Sequence, residues 1–345
     1  MNELMTAAEG VLPAPILYQW GLDFIRAVQG AGNPAVTAVM KIITDLVSEF
    51  IFFAVVMILF WLADERKAFR FGVLVICSAW LNSLVKAFFR QPRPFHLEKA
   101  LGMIGEGGYG FPSGHTQLIL IFLVPLSAWL CLKKPALFRG RASPPGRLWK
   151  ILIWAVTVLL ITAVSFSRLY LGVHFPQDIA GGLLLGGLSL VLYFAAERRF
   201  SAPHNPKPSK DASLFRVLLE KPRYQLSLAA AAALLMNALV PRHSGGALLF
   251  GFTTGYILMR AHWPFSAVAS GLGLPPRSAF LRAALFLAAG FAGAIILYGG
   301  LKRIFPGAAS PYYGLFRFIR YGLSGFWVSG GAPRIFTAFD NRDRT

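Results

Sequence analysis

The stretch ILIWAVTVLLITAVSFSRLYLGVHFPQDIAGGLLLGGLSLVLYF, residues 151–194, decides the fold. It reads as two apolar runs, 150–167 and 178–196, joined by SRLYLGVHFPQD at 167–178. Each run approaches the ~20 residues that carry a helix across ~30 Å of hydrocarbon. The joint has the opposite character. It gathers Arg168, His174 and Asp178 at the place where one span ends and the next begins.

Working outward, the same alternation covers most of the chain. Apolar stretches run over 46–63, 70–89, 113–132, 150–167, 178–196, 225–240, 245–259, 280–300 and 311–329. The composition agrees: 56% hydrophobic, 14% charged and a mean hydropathy of +0.57 lie outside the range of a soluble domain. The expected fold is therefore all-α, a polytopic membrane helix bundle of about eight or nine transmembrane helices. The stretch 311–329 carries Arg317 and Arg320, which fit either a span or a helix lying in the interface.

The organisation expected is an N-terminal amphipathic segment (1–44), a membrane core holding the chemistry (45–196), a cytoplasmic linker (197–224) and C-terminal membrane helices without an assigned role (225–345). The opening MNELMTAAEG lacks the basic and apolar regions of a signal peptide. Residues 15–29 place Leu17, Trp20, Phe24, Ile25 and Val28 on one helical face and Gln19, Asp23 and Arg26 on the other. That pattern suits an interfacial helix or one packed on the bundle. GLLLG at 182–186 and GFTTG at 251–255 put small residues four apart, which lets membrane helices approach closely. Cys77 and Cys131 fall within apolar spans and form no disulfide or zinc pattern.

A net charge of +19 invites a nucleic-acid reading, but its distribution follows topology instead. With loops assigned alternately to two sides, the segments around 66–70, 133–150 and 198–223 collect sixteen basic residues on one side. The other side receives Arg90, Arg93, Lys99 and Arg168. The basic side is cytoplasmic by the positive-inside rule. The loops lack any nucleic-acid reading motif. Expected is a protein of a bacterial inner or plasma membrane, with its motifs facing the periplasm or exterior; oligomeric state leaves no signal.

Three runs then share that outer side: KAFFRQPRP at 86–94, PSGH at 112–115 and SRLYLGVHFPQD at 167–178. Lys86 sits at a span's end, where an ammonium needs water or an anion. Prolines flank Arg93 and restrict its backbone, and its guanidinium suits bidentate phosphate contact. Pro112, Ser113, Gly114 and His115 open a helix, whose first turn is a ready anion site. Gly114 leaves room for a phosphate oxygen, Ser113 can donate a hydroxyl, and His115 could protonate a leaving alcohol. Asp178, four residues after His174, can fix the tautomer of that ring and free its other nitrogen to attack. Each run alone could be a set of helix anchors and caps. All three supplying different parts of one reaction on one membrane face is harder to explain that way.

The pattern K-x6-RP, PSGH, SR-x5-H-x3-D resembles the three-part signature of the type 2 phosphatidic acid phosphatase superfamily, over roughly residues 45–196. That superfamily also includes glucose-6-phosphatases and vanadium haloperoxidases. The resemblance implies that His174 forms a phosphohistidine, that Asp178 orients it, and that His115 protonates the leaving oxygen and later activates water. It implies that Lys86, Arg93, Arg168, Ser113 and Gly114 hold the phosphate oxygens. No metal and no other cofactor is expected, because the cations supply the charge neutralisation. The substrate expected is a membrane lipid phosphate monoester or pyrophosphate, since Phe95, Leu97, Leu101, Met103 and Ile104 lie beside the motifs. A sugar phosphatase, a phosphotransferase to an alcohol, a haloperoxidase and a non-catalytic lipid or anion transporter are the other readings.

Overall fold

The computed structural model describes residues 16–132, 146–201, 221–241, 243–267 and 276–342. Residues 1–15 of the N-terminal segment and most of the basic connectors at 133–149 and 197–224 lie outside them. Every regular element among the described residues is helical. Apart from single turns, in chain order these are α1 (Ile16–Gly30), α2 (Pro34–Asp45), α3 (Glu49–Ile58), α4 (Glu65–Phe89), α5 (Gly114–Leu132) and α6 (Arg147–Tyr170). Then come α7 (Pro176–Ser201), α8 (Pro222–Leu239), α9 (Gly245–His262), α10 (Pro276–Ile295), α11 (Tyr313–Phe326) and α12 (Ala332–Arg342). Wider π-type turns extend α3 over Leu59–Ala63, α10 over Ile296–Gly300 and α11 over Trp327–Gly331.

Five of these helices are long and apolar enough to cross a membrane: Glu65–Leu97, Gly114–Cys131, Arg147–Tyr170, Pro176–Arg198 and Phe280–Ile304. A sixth forms if Pro34–Asp45 and Phe50–Ala63 make one broken span. The expectation of eight or nine is therefore not reached among the described residues. The apolar runs at 225–240, 245–259 and 311–329 do form helices, but α8, α9 and α11 are not among the spans. α11 is only 14 residues long and α9 ends in Arg260 and His262.

Internal contacts divide the chain into two compact units: Met1–Ile51, Leu81–Leu132 and Pro145–Val191, and Phe52–Trp80, Lys133–Pro144 and Leu192–Thr345. In the first unit, α6 presents Leu148, Ile151, Val158 and Leu159 outward, as a lipid-facing helix should. Its inward face meets α5 through a 2.6 Å hydrogen bond between the Ser127 and Thr157 hydroxyls. α7 crosses the start of α5 at the first glycine of GLLLG. A Cβ on Gly182 would stand 2.6 Å from the Ser113 carbonyl oxygen, so the approach read from the small-residue spacing is realised.

α1 packs on the bundle along Leu22 and Ile25, which close a small core with Leu101 and Phe175. In such a water-side core each fully buried apolar side chain contributes about 1.5–3 kcal/mol over its exposed state. Trp20 and Phe24 remain exposed on the other edge of α1, so the helix has one packed face and one apolar face outside. Gln29 ties it down by donating to the carbonyls of Leu101 at 2.9 Å and Tyr170 at 2.8 Å.

In the second unit, α9 and α11 are the closest pair. Gly251, the first glycine of GFTTG, faces the carbonyl of Gly322 with no room for a Cβ, and Gly325 comes equally near the backbone of Leu248 and Phe252. Ser329 closes the contact by donating to the Phe252 carbonyl at 2.6 Å.

Candidate active site

All three motifs lie in the first unit, at matching ends of α4, α5, α6 and α7. Lys86 lies in the last turn of α4. Its ammonium donates to the carbonyls of Tyr109 at 2.8 Å and Gly110 at 3.1 Å. After Phe89 the chain turns at Arg90, in the left-handed region at φ 50°. Arg93 is then extended at φ −93°, ψ 160°, the conformation that a following proline imposes. Pro94 starts a single helical turn, Pro94–Leu97, which fixes where Arg93 stands.

The Arg93 side chain is buried and makes three hydrogen bonds to backbone carbonyls. Nε donates to the Gly108 carbonyl at 2.9 Å, Nη2 to that of Gly107 at 2.8 Å and Nη1 to that of Val173 at 2.9 Å. Nη1 also stands 3.3 Å from Nε2 of His174. One guanidinium thus joins the first motif, the glycine-rich loop 105–110 and the third motif.

Arg168 lies in the last turn of α6 and is 1% exposed. Nη1 donates to the Thr44 hydroxyl at 2.6 Å and Nη2 to Glu106 Oε2 at 2.5 Å, while Nε has no hydrogen-bond partner. The other Glu106 oxygen lies 3.8 Å from Arg93 Nη2, so one carboxylate bridges two of the three cations. Burial alone would raise the pKa of Glu106, but Arg168, then Arg93 and His115, hold it below the ordinary carboxylate value, and it stays ionised.

Beyond Tyr170 the chain must leave α6 and present His174 within four residues. Gly172 makes this possible at φ 68°, where any Cβ would collide with the Leu101 carbonyl. The turn is held by Leu171 N–H to Ser167 O at 2.9 Å and Val173 N–H to Arg168 O at 3.2 Å. Pro176 then opens α7, with Asp178 in its first turn. The Asp178 carboxylate reaches back to the Phe175 N–H at 2.9 Å, as an acid in a capping box does, and to Nδ1 of His174 at 3.2 Å.

His174 is 1% exposed and its pKa lies well below 6.5. Burial is the largest cause, followed by the charges of Arg93, Lys86, Arg168 and His115. A neutral ring whose Nδ1–H is given to Asp178 keeps its lone pair on Nε2, on the side of Arg93.

The second motif is tied to the third by Ser113 N–H donating to the Asp178 carbonyl at 2.8 Å. Ser113 is fully buried, and its oxygen accepts from Thr116 N–H at 3.4 Å, the role of a helix cap. Gly114 begins α5 against Asn82 of α4, which donates to Gln117 at 2.7 Å. His115 is half-buried among Arg168, Glu106, Arg93 and Lys86, the charged groups that act on it.

Every residue singled out by the motifs is thus brought to one place. Glu106, Thr44 and the carbonyls of residues 107–110 were not anticipated from sequence. The signal for Glu106 was there to find: it is the single acid in GEGGYG, between two cationic motifs. The apolar residues at 95–104 behave differently from expectation. Leu101 is in the core, and Phe95, Met103 and Ile104 pack against Tyr170, Leu171 and Val173, which leaves only Leu97 of the five exposed.

Residues 67–201 match the family model described as PAP2 superfamily, and residues 243–344 match PAP2 superfamily phosphatase, transmembrane extension. The chain is 33% identical to a lipid A 4'-phosphatase of Porphyromonas gingivalis over 39% of its own length and 54% of that protein. It is 26% identical to a putative undecaprenyl-diphosphatase of Escherichia coli over 48% of its length and 74% of the relative. The chain therefore spans about half the length of the first of these relatives and three quarters of the second. A transmembrane PAP2-type phosphatidylglycerolphosphate phosphatase from Bacillus subtilis, solved by crystallography, aligns with a TM-score of 0.45 at 20% identity, covering 58% of this chain and 96% of its own. With its motif-bearing core and its C-terminal third both matched by models of one family, the chain belongs to the PAP2 superfamily.

Proposed function

We propose that this protein is a membrane phosphatase that hydrolyses a lipid phosphate monoester or diphosphate through a phosphohistidine on His174. The observation that carries the reading is the two-sided hold on His174, with Nδ1 on the Asp178 carboxylate and Nε2 beside the Arg93 guanidinium. Nε2 attacks phosphorus while the bond to the leaving oxygen breaks, and His115 gives that oxygen its proton. Water then attacks the phosphohistidine, passes a proton to His115, and releases phosphate with His174 restored. Lys86, Arg93, Arg168 and the backbone N–H groups opening α5 hold the equatorial oxygens, where charge must be stabilised. Ser113, already a helix cap, supports that first turn.

The same reading makes the reaction independent of metal, because three cations surround the phosphate position. Lipid substrates are favoured by relatives whose names specify lipid A and undecaprenyl diphosphate. The motifs sit at helix ends, where an amphiphile can keep its tails in lipid. The basic loops at 133–150 and 198–223 favour a site on the outer face of the membrane.

Phosphate release from lipid A, undecaprenyl diphosphate, phosphatidylglycerophosphate and glucose 6-phosphate in mixed micelles tests the substrate class. At least one lipid should exceed glucose 6-phosphate by more than about tenfold in kcat/KM, a difference of roughly 1.4 kcal/mol. Acid-quenched protein should carry phosphate on His174, EDTA should leave turnover unchanged, and His174→Ala should abolish both turnover and labelling. Full activity in His174→Ala would end the proposal.

A further inference from the structure

The C-terminal extension contains a cationic cluster that the motifs do not use. Arg317 and Arg320 lie one turn apart on α11, so their charges share a face and repel. Arg320 is only 8% exposed, and its Nε has no hydrogen-bond partner. Its guanidinium rests 5.4 Å from the centre of the Tyr298 ring and 5.2 Å from that of Tyr321. Arg317 lies 5.6 Å from the Tyr321 ring, and the two tyrosine hydroxyls stand 3.3 Å apart. His243 is close enough for Arg317 to help depress its pKa, after burial.

Two arginines in an apolar helix ordinarily find carboxylates or water. Among the described residues, neither has an acidic partner, and three acids of this unit are engaged elsewhere. Asp64 pairs with Lys67, Glu65 with Arg66, and Glu197 with Arg70. Aromatic faces offset part of the charge but leave the buried Nε–H of Arg320 without an acceptor. A multivalent oxygen anion would supply one, and the tyrosine hydroxyls can donate to the same anion. The surface beside the cluster is apolar and outward. Leu323, one turn after Arg320 on α11, and Ile295 and Ile296, within one turn of Tyr298 at the end of α10, are exposed. A ligand held by its anionic head would lay hydrocarbon along them.

We propose that Arg317 and Arg320, with the Tyr298 and Tyr321 hydroxyls, bind the phosphate of an anionic membrane lipid. This site is built from residues outside the three motifs and does not depend on the reaction proposed for them. A lipid bound here would act as a ligand of the extension and would not be turned over.

Binding to the full-length protein in neutral detergent can be read by native mass spectrometry, with phosphatidylglycerol, phosphatidylcholine and sodium phosphate as probes. The wild type should prefer phosphatidylglycerol over phosphatidylcholine by about tenfold or more, a difference near 1.4 kcal/mol. Arg317→Gln/Arg320→Gln should erase that preference, while phosphatase activity stays within about threefold of wild type. Should the double variant fail to fold, Arg317→Gln alone, at a half-buried position, should weaken binding by about threefold or more, and Tyr298→Phe by a smaller factor. Arg168→Gln should leave the preference intact. An unchanged preference in the α11 variants would overturn the site, as would a loss caused by Arg168→Gln instead. Displacement of phosphatidylglycerol by millimolar sodium phosphate would overturn the lipid as its source.

Discussion

Arg168 of the first unit and Arg320 of the second are both buried, at 1% and 8% exposure, yet they are held by opposite means. Arg168 has Thr44 and Glu106 as acceptors, and its neighbour Arg93 has three backbone carbonyls. Arg320 has two aromatic faces and no acid among the described residues. The contrast separates two ways of holding a cation in an apolar protein. In the motif site the hydrogen bonds fix the direction of each N–H, which transition-state stabilisation requires. On α11 the ring faces fix only the position of the charge, which is enough to attract an anion and too loose to direct chemistry.

The comparison breaks most sharply at the histidine that the first arrangement serves. Asp178→Asn should lower kcat by about 10³–10⁴, since losing the carboxylate that fixes a catalytic histidine's tautomer costs that much in Ser-His-Asp enzymes. Lipid-phosphate turnover at saturating substrate, with helix content checked by circular dichroism, measures it. A loss below about tenfold would mean that Asp178 serves mainly as the cap of Phe175. Arg168→Gln comes next, at about 10²–10³ in kcat, the cost of one transition-state donor. If Arg320→Gln cost as much, the distinction between directed and undirected cations would fail.

How much of this was legible in the sequence follows from how each residue reaches the site. Lys86, His115, Arg168 and Asp178 each lie in the first or last turn of a helix, so an apolar span and a short spacing were enough to place them. Arg93 and His174 follow from prolines and a glycine that fix the chain just beyond those ends. Thr44, 124 residues from Arg168, arrives by tertiary packing alone and leaves no local pattern. Glu106 and the carbonyls after it depend on the path of a loop that hydropathy does not describe. The same limit explains the span count. Apolar composition identifies α8, α9 and α11 as helices, but α11 is only 14 residues long, and α8 and α9, at 18 residues each, spend part of that length on polar residues such as Arg223, Gln225 and Asn237 or Arg260 and His262. Arg317 and Arg320 read equally as anchors, because only the structure shows which groups surround them.

Glu106 gives a smaller and more informative test. It already bridges Arg168 and Arg93, so a phosphate held there as proposed would compete with it for their donors. Glu106→Gln removes a negative charge from the cradle, and vanadate should inhibit about three- to tenfold more tightly, roughly 0.7–1.4 kcal/mol. Weaker inhibition would show that the service of Glu106 in orienting Arg168 outweighs its repulsion of the ligand. A matching acid introduced beside Arg320 should instead cost the proposed lipid site its ligand.

The finest comparison is between the buried His174 and the half-buried His243, one in each unit. His174 is held well below 6.5 by burial and then by Arg93, Lys86, Arg168 and His115, and His243 is held at about 4 by burial and then by Arg317. In both cases the unfolded chain takes up a proton near pH 6.5 and the folded chain does so only at lower pH. Between those values the unfolded state binds more protons, so stability rises with pH. The penalty is absent well above pH 6.5 and grows as the pH falls below it. Glu106 adds to the loss only in stronger acid: its lowered pKa gives stability above the unfolded value near 4.3 that disappears as pH falls through the folded one. Thermal unfolding in detergent should therefore drop by several degrees between pH 7.5 and 5.0, where about 1 kcal/mol corresponds to a few degrees. His174→Ala and His243→Ala should each flatten that slope, and the more deeply buried His174 should account for the larger share. Arg317→Gln should soften the His243 part alone. An acid slope untouched by His174→Ala would mean that the ring takes up its proton in the folded protein as readily as in the unfolded chain, so that below about pH 6.5 it would have no lone pair on Nε2 with which to attack.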